Sequence, residues 1–211
     1  MPRRYHCVNP SYPYDVIEPF SRDKKTSPIT DSLPTGCSKR FAIFCFGKLR
    51  IYVDHTPLFL TNRKSEELLA LLACERGAFL SKNDLAQSLW PDVNLPHAVD
   101  RLYKCLRSLR GTKATLDIPI LSVSGRLALD MTQTYCDLEE FEQLCQTNDL
   151  SNLERALFLY KGSLFFASDY DWAIDKESYY DIRYLEITER LSRYYEDRNP
   201  PLSHAYRQNF E

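Results

Sequence analysis

Between Phe41 and Asp130 the apolar residues change period twice, and that double switch restricts the chain to few folds. FAIFCF (41–46) is a continuous β-prone apolar run closed by Gly47. LRIYVD (49–54) alternates Leu49, Ile51 and Val53 with Arg50, Tyr52 and Asp54, and PLFLT (57–61) follows a polar turn. Three short strands at this spacing predict a small antiparallel meander. The period then becomes helical. NRKSEELLALLACER (62–76) sets Leu68, Leu69, Leu72 and Ala73 on one stripe, with Thr61 or Asn62 as cap and Gly77 as a left-handed stop. In SKNDLAQSLWP (81–91) Ser81 can accept from the N–H of Asp84, and Asp84 can reach back, while Pro91 ends the helix. A third helix opens with Pro96 in its first turn and buries Val99, Leu102, Leu106 and Leu109. The second switch returns to strands: IPILSV (118–123), a Ser124-Gly125 turn and RLALD (126–130) predict a hairpin.

Three strands, three helices and a hairpin are the layout of an α+β winged helix, placed at residues 41–135. Its positive charge is concentrated. Residues 97–111, HAVDRLYKCLRSLRG, hold Arg101, Lys104, Arg107 and Arg110 against one acid, Asp100, and Lys113 follows. The whole chain, by contrast, has 27 Lys+Arg against 29 Asp+Glu. Residues 41–136 carry a net +3 and residues 137–211 a net −8, an asymmetry that suggests two modules with different jobs. On the helical wheel Arg101, Lys104 and Ser108 fall together opposite the leucines, with Asp100 and Arg107 beside them. A winged helix puts its third helix in the major groove of duplex DNA. Arg101, Lys104 and Ser108 are therefore the expected base contacts, since Arg grips guanine bidentately and Ser suits either base or phosphate. Arg107, Arg110 and Lys113 are expected on phosphates, joined by Arg63, Lys64, Ser81 and Lys82 at helix N-termini, where N–H groups and the dipole favour anions. Arg126 stands at the hairpin tip, the wing, within reach of a minor groove.

Residues 136–211 read as all-helical. Asp137 with Glu140 resembles a capping box, followed by Leu138, Phe141, Leu144 and Cys145 on one side. LSNLERALFLYKG (150–162) is a second helix, and a longer one over roughly 171–197 carries Trp172, Tyr179, Tyr180, Ile182, Tyr184, Leu185, Ile187, Leu191, Tyr194 and Tyr195 before Pro200-Pro201 interrupts. Residues 1–40 contain six prolines and no period, and are read as a disordered or extended arm.

Several motifs resemble one family. Phe44-Cys45-Phe46-Gly47-Lys48-Leu49-Arg50-Ile51 resembles the opening of the Streptomyces antibiotic regulatory proteins (SARP). Arg63-Lys64-Ser65 with Leu68-Leu69-Ala70-Leu71-Leu72 resembles their first helix, Leu89-Trp90-Pro91-Asp92 the end of their second, and Leu106-Arg107 their recognition helix. Asp137-Leu138-Glu139-Glu140-Phe141 and Ala156-Leu157-Phe158-Leu159-Tyr160-Lys161-Gly162 with Trp172-Ala173 resemble their bacterial transcriptional activator domain. The resemblance spans about 41–197. It implies an OmpR-type winged helix, a shortened tetratricopeptide-like helical domain over 136–211, and transcription activation by recruiting RNA polymerase to repeated DNA sites, with a homodimer as one way of occupying them. It also implies that the loop holding Asp92, Val93 and Asn94 faces the polymerase. The hairpin departs from the family in reading Gly125-Arg126-Leu127, with no tyrosine.

Other classes fit poorly. The cysteines, seven in number, include no C-x-x-C, and the four histidines are scattered at 6, 55, 97 and 204, so neither a zinc site nor a disulfide framework is expected, and reduced thiols suggest a cytoplasmic protein. No phosphate-binding glycine loop, G-x-S-x-G or H-E-x-x-H occurs, so an enzyme is not expected, nor a cofactor. The longest apolar run, LLALLAC (68–74), is too short for a membrane helix. The alternative reading is a protein–protein adaptor whose winged helix no longer binds DNA.

Overall fold

The computed structural model describes residues 38–110, 118–147 and 149–208. The predicted arm up to residue 37, and Lys113, lie outside the described residues.

Strand β1 (Phe41–Phe44) pairs antiparallel with β2 (Arg50–Val53), which pairs with the two-residue β3 (Thr56–Pro57). The expected third strand over 57–61 is cut short. Pro57 has no N–H to donate, and beyond it Leu58 and Leu60 turn inward while Phe59 stands out in solvent. On its other edge β1 pairs in parallel with β7 (Thr134–Cys136), a strand too short to show a period, so the sheet runs β3-β2-β1-β7. This central position explains the unbroken apolar run of β1. Phe41 and Ile43 enter the main core, while Ala42 and Phe44 are covered on the opposite face by Tyr52 and Tyr135.

Helices α1 (Arg63–Cys74), α2 (Lys82–Leu89) and α3 (Leu95–Leu109) follow, as the periodicity predicts. Asn62 caps α1, Ser81 caps α2 by accepting from the N–H of Asp84 at 3.0 Å, and Asn94 caps α3. In α3 the buried residues are Ala98, Leu102, Cys105, Leu106 and Leu109, and Val99 is only half-buried. The hairpin is β5 (Ile120–Val123) and β6 (Arg126–Leu129). Ser124 and Gly125 both have positive φ (48° and 77°), as a two-residue type I′ turn requires. A short β4 (Leu80–Ser81), just before α2, adds a third strand beside β6.

The remaining elements are α4 (Asp137–Cys145), α5 (Leu150–Leu159), a 3₁₀ turn (Asp171–Ala173), α6 (Ile174–Tyr195) and α7 (Pro200–Arg207). The prolines that interrupt the pattern occupy the first turn of α7, where a missing N–H costs nothing.

Asp137 is not the cap that the sequence suggests. Cys136 holds that position without a side-chain bond, and the Asp137 carboxylate is buried. It accepts the N–H of Cys45 at 2.8 and 2.9 Å and that of Phe46 at 3.0 Å, just past the end of β1. One side chain thus satisfies backbone donors that leave the sheet and fixes α4 against them. Phe46 reinforces the joint. Its buried ring meets Phe141 of α4, Tyr160 and Tyr180 of α6, with centroids 5.1, 5.2 and 5.4 Å away. Gly47 continues it at φ 72°, donating to Gly162 O at 3.1 Å, where an added Cβ would meet Lys161 O at 3.1 Å.

A second joint starts from α1. Lys64 Nζ donates to Leu89 O at 2.8 Å and pairs with the buried Glu67 at 2.8 Å, while the other Glu67 oxygen accepts from Trp172 Nε1 at 3.2 Å. Lys64 thereby ties α1 to the end of α2 and, through Glu67, to the 3₁₀ turn.

Burial raises the Asp137 carboxyl to about 6, against the N–H groups of Phe46 and Cys45 and the charge of Arg50. It is ionised at neutral pH, as a site lined with donors favours. Its folded value exceeds the ordinary 3.8, so the native state holds this proton more tightly than the unfolded chain does. The stability tied to it is complete below about pH 4 and is lost as pH rises through about 6. Urea unfolding is expected to show wild-type stability falling by about 3 kcal/mol more than that of Asp137→Asn between acid and neutral pH. Lys64→Ala leaves the buried Glu67 carboxylate with Trp172 Nε1 alone and is expected to cost about 2 kcal/mol in the same measurement.

Candidate nucleic-acid interface

The exposed side of α3 follows from which residues it buries. With Ala98 and Cys105 in the buried stripe in place of Val99, the outward ridge turns by about 40° from that expected. Asp100, Lys104 and Arg107 now form its crest. Arg101 and Ser108 lie on one flank and Tyr103 and Arg110 on the other, all of them exposed.

The flank bearing Tyr103 meets the start of α2. Lys82 Nζ lies 4.9 Å from the centre of the Tyr103 ring and donates to its hydroxyl at 3.4 Å. The backbone N–H of Lys82 donates to Gly125 O at 3.2 Å, and Ser81 sits opposite Arg126 in the ladder of β4 and β6. Hairpin tip, α2 N-terminus and α3 are therefore one continuous surface, with Arg126, Ser81, Lys82, Lys104, Arg107 and Arg110 on it. Tyr103 was not among the expected site residues. Its position between the stripe and the crest of α3 gives no signal in the sequence, and only the neighbouring Lys82 reveals it.

Many cations away from this surface meet acids: Arg40 with Asp54, Arg76 with Glu142, Arg155 with Glu140 and Lys176 with Glu75. Among the described residues, no ion pair or side-chain hydrogen bond engages Arg101, Lys104, Arg107, Arg110 or Arg126. The surface carries an excess of positive charge, with Asp100 on the crest of α3 and Asp84 at the start of α2 as exposed acids beside it.

Other expected site residues lie elsewhere in the fold. Arg63 pairs with Asp169 at 3.1 Å, an acid that holds its guanidinium raised by hydrogen bond and charge, and Lys64 is committed to Leu89 and Glu67. Lys64 is thus tied into the fold, while the Arg63–Asp169 pair is exposed to solvent at the α1 end. In the loop before α3, Asp92 is exposed, Val93 packs partly against the core, and Asn94 spends its side-chain oxygen on the N–H of His97.

One set of potential metal ligands converges among the described residues: Cys45, Cys136 and Asp137, within 4.8 Å of one another. Burial pushes the Cys45 thiol well up, aided by its neighbour Cys136, and both Asp137 oxygens already accept backbone N–H groups. These groups are committed to the joint between β1 and α4. All five described cysteines are free thiols. No helix among the described residues is long and apolar enough to cross a membrane.

No family model and no curated protein matches the chain. Among solved structures it is similar to EmbR of Mycobacterium tuberculosis, determined in complex with a low-affinity phosphopeptide, with a TM-score of 0.60 and 17% identity. The match covers 73% of this chain and 45% of EmbR, so the chain spans less than half the length of that protein. The likeness extends to the fold, a mixed α/β unit with an N-terminal sheet joined to a helical one.

Proposed function

We propose that the protein is a sequence-specific double-stranded DNA-binding transcription regulator of the winged-helix type, with α3 in the major groove. The observation that carries this reading is the set of cations without acid partners on the one surface shared by α3, the α2 N-terminus and the hairpin tip. Charges left unneutralised on a groove-sized helix are what a phosphate lattice takes up, with release of its counterions. The residue motifs resembling the SARP family and the fold likeness to EmbR support the same reading.

In this reading Arg101, Lys104 and Ser108 address base edges. Arg107, Arg110 and Lys113, with Ser81 and Lys82 at the α2 N-terminus, meet phosphates. Tyr103 adds its hydroxyl to that set and steadies Lys82. Arg126 follows the adjacent backbone or minor groove. Lys64 is left out, since the buried Glu67 and Leu89 O hold it, while Arg63, whose pair with Asp169 is exposed, keeps its place as a phosphate contact. The helical domain, tetratricopeptide-like in the family, would carry activation through RNA polymerase, with Asp92 as the exposed acid of the loop facing it. Cytoplasmic placement and the absence of a cofactor go with this role, and no catalytic step is assigned.

Binding of a labelled operator by fluorescence anisotropy over a range of salt is the direct check. Wild type is expected to lose affinity steeply with salt, by about 0.9 in log K per phosphate contacted for each decade of salt. Lys82→Ala makes that slope shallower by about 0.9 and weakens all sequences alike. Arg101→Ala with Lys104→Ala removes the preference for the operator while leaving the unfolding midpoint nearly unchanged. Operator binding by this double variant equal to wild type, or binding independent of salt, contradicts the proposal and favours the adaptor reading.

A further inference from the structure

Helix α6 is engaged on three sides. Tyr180, Ile187 and Leu191 enter the core. Lys176 pairs with Glu75 beyond the end of α1, and Asp181 receives the hydroxyls of Tyr160 and Ser163. The fourth side runs along Ile174, Ser178, Ile182, Leu185 and Glu189, all exposed, with Ile174 at 59% and Ile182 at 56%. Single exposed apolar residues are ordinary. These share one stripe at spacings of 4, 4, 3 and 4, the pattern of a helix that packs against another helix.

The charges beside the stripe identify the partner. Asp175 lies near the start of α6 and Arg193 near its end, both exposed. Their separation is five whole helical turns at about 3.6 residues per turn, so they flank the stripe on the same edge. When two antiparallel helices pair about a two-fold axis, residues on the same edge face each other. An axis between Ile182 and Leu185 puts Ile182 against Leu185 of the other copy and Ser178 against Glu189. It also places each Asp175 against the other copy's Arg193, which already pairs with Glu189 of its own helix. In a parallel two-fold pair that edge would lie on opposite sides of the contact in the two copies, and Asp175 would not meet Arg193. The charge order thus matches its own reversal, the mark of an isologous contact.

We propose that the α6 stripe is an interface with a second copy of this chain, antiparallel and two-fold. It is distinct from the α3 surface and stands without any assumption about DNA. One helix pair is a small contact, so the dimer is weak, with a Kd on the order of ten micromolar.

Sedimentation equilibrium of the full chain across about 1–200 µM tests this. The average mass is expected to rise from 24.7 kDa toward twice that value. Ile182→Asp, at an exposed position and checked for folding by circular dichroism, is expected to stay at 24.7 kDa. Asp175→Arg alone and Arg193→Asp alone each weaken association by about tenfold, and the two together restore it to within about threefold of wild type. A wild-type mass that stays at 24.7 kDa throughout overturns the proposal. Growth beyond two copies does the same, as does association untouched by Ile182→Asp or by the charge reversals, which would place the contact on another face.

Discussion

The carboxylate of Asp137 receives the N–H groups of Cys45 and Phe46 in a site sealed from water, and the relation between the two halves of the molecule follows from that contact. A buried charge is tolerable only where its oxygens are filled by donors. Here they are supplied by backbone that has just left the central strand, so sheet and α4 are held by groups that have no other partner. Phe46 adds three aromatic contacts at the same point, and the parallel pairing of β1 with β7 brings the chain to it. With the sheet pinned on this side, the three-helix unit is free to turn α3 and the hairpin tip outward.

Electrostatics then separate structure from recognition. Lys64, which holds α1 to the end of α2, has its acid in the buried Glu67. The exposed side of α3 has almost no acid to offer its arginines and lysine. Exposed ion pairs contribute little to stability, so pairing matters here mainly as a sign of which cations remain available to an outside anion. The Lys82–Tyr103 contact and the Lys82 N–H to Gly125 O bond make that surface continuous across three elements. A regular charged lattice could therefore meet helix and hairpin together.

Much of this was legible in the sequence because period is local. The β1 run, the three helices, their caps at Asn62 and Ser81, and the hairpin with its Ser124-Gly125 turn depend on residues within a few positions of one another. Strands β4 and β7 were not legible, since two or three residues carry no period and exist only through pairing with β6 and β1. Asp137 was misread for a related reason. An acid at a helix start followed by Glu140 has the same local pattern whether it caps the helix or bonds to backbone 91 and 92 residues away. The candidate surface was legible as a cluster of charge, but not in its membership. Lys64 looked like Lys82 until Leu89 O and Glu67 claimed it, and Tyr103 showed nothing until Lys82 was placed above its ring. The Val99 exchange shows the same limit: a stripe of leucines fixes a helix's period well and its rotation only to within about 40°.

Selection of bound sequences from a pool of random duplex DNA, using the purified full chain, tests the central claim most directly. The account predicts that successive rounds converge on a common motif a few base pairs long, one that α3 can span in a major groove. A pool that remains random in sequence, with no enrichment over protein-free controls, would contradict it.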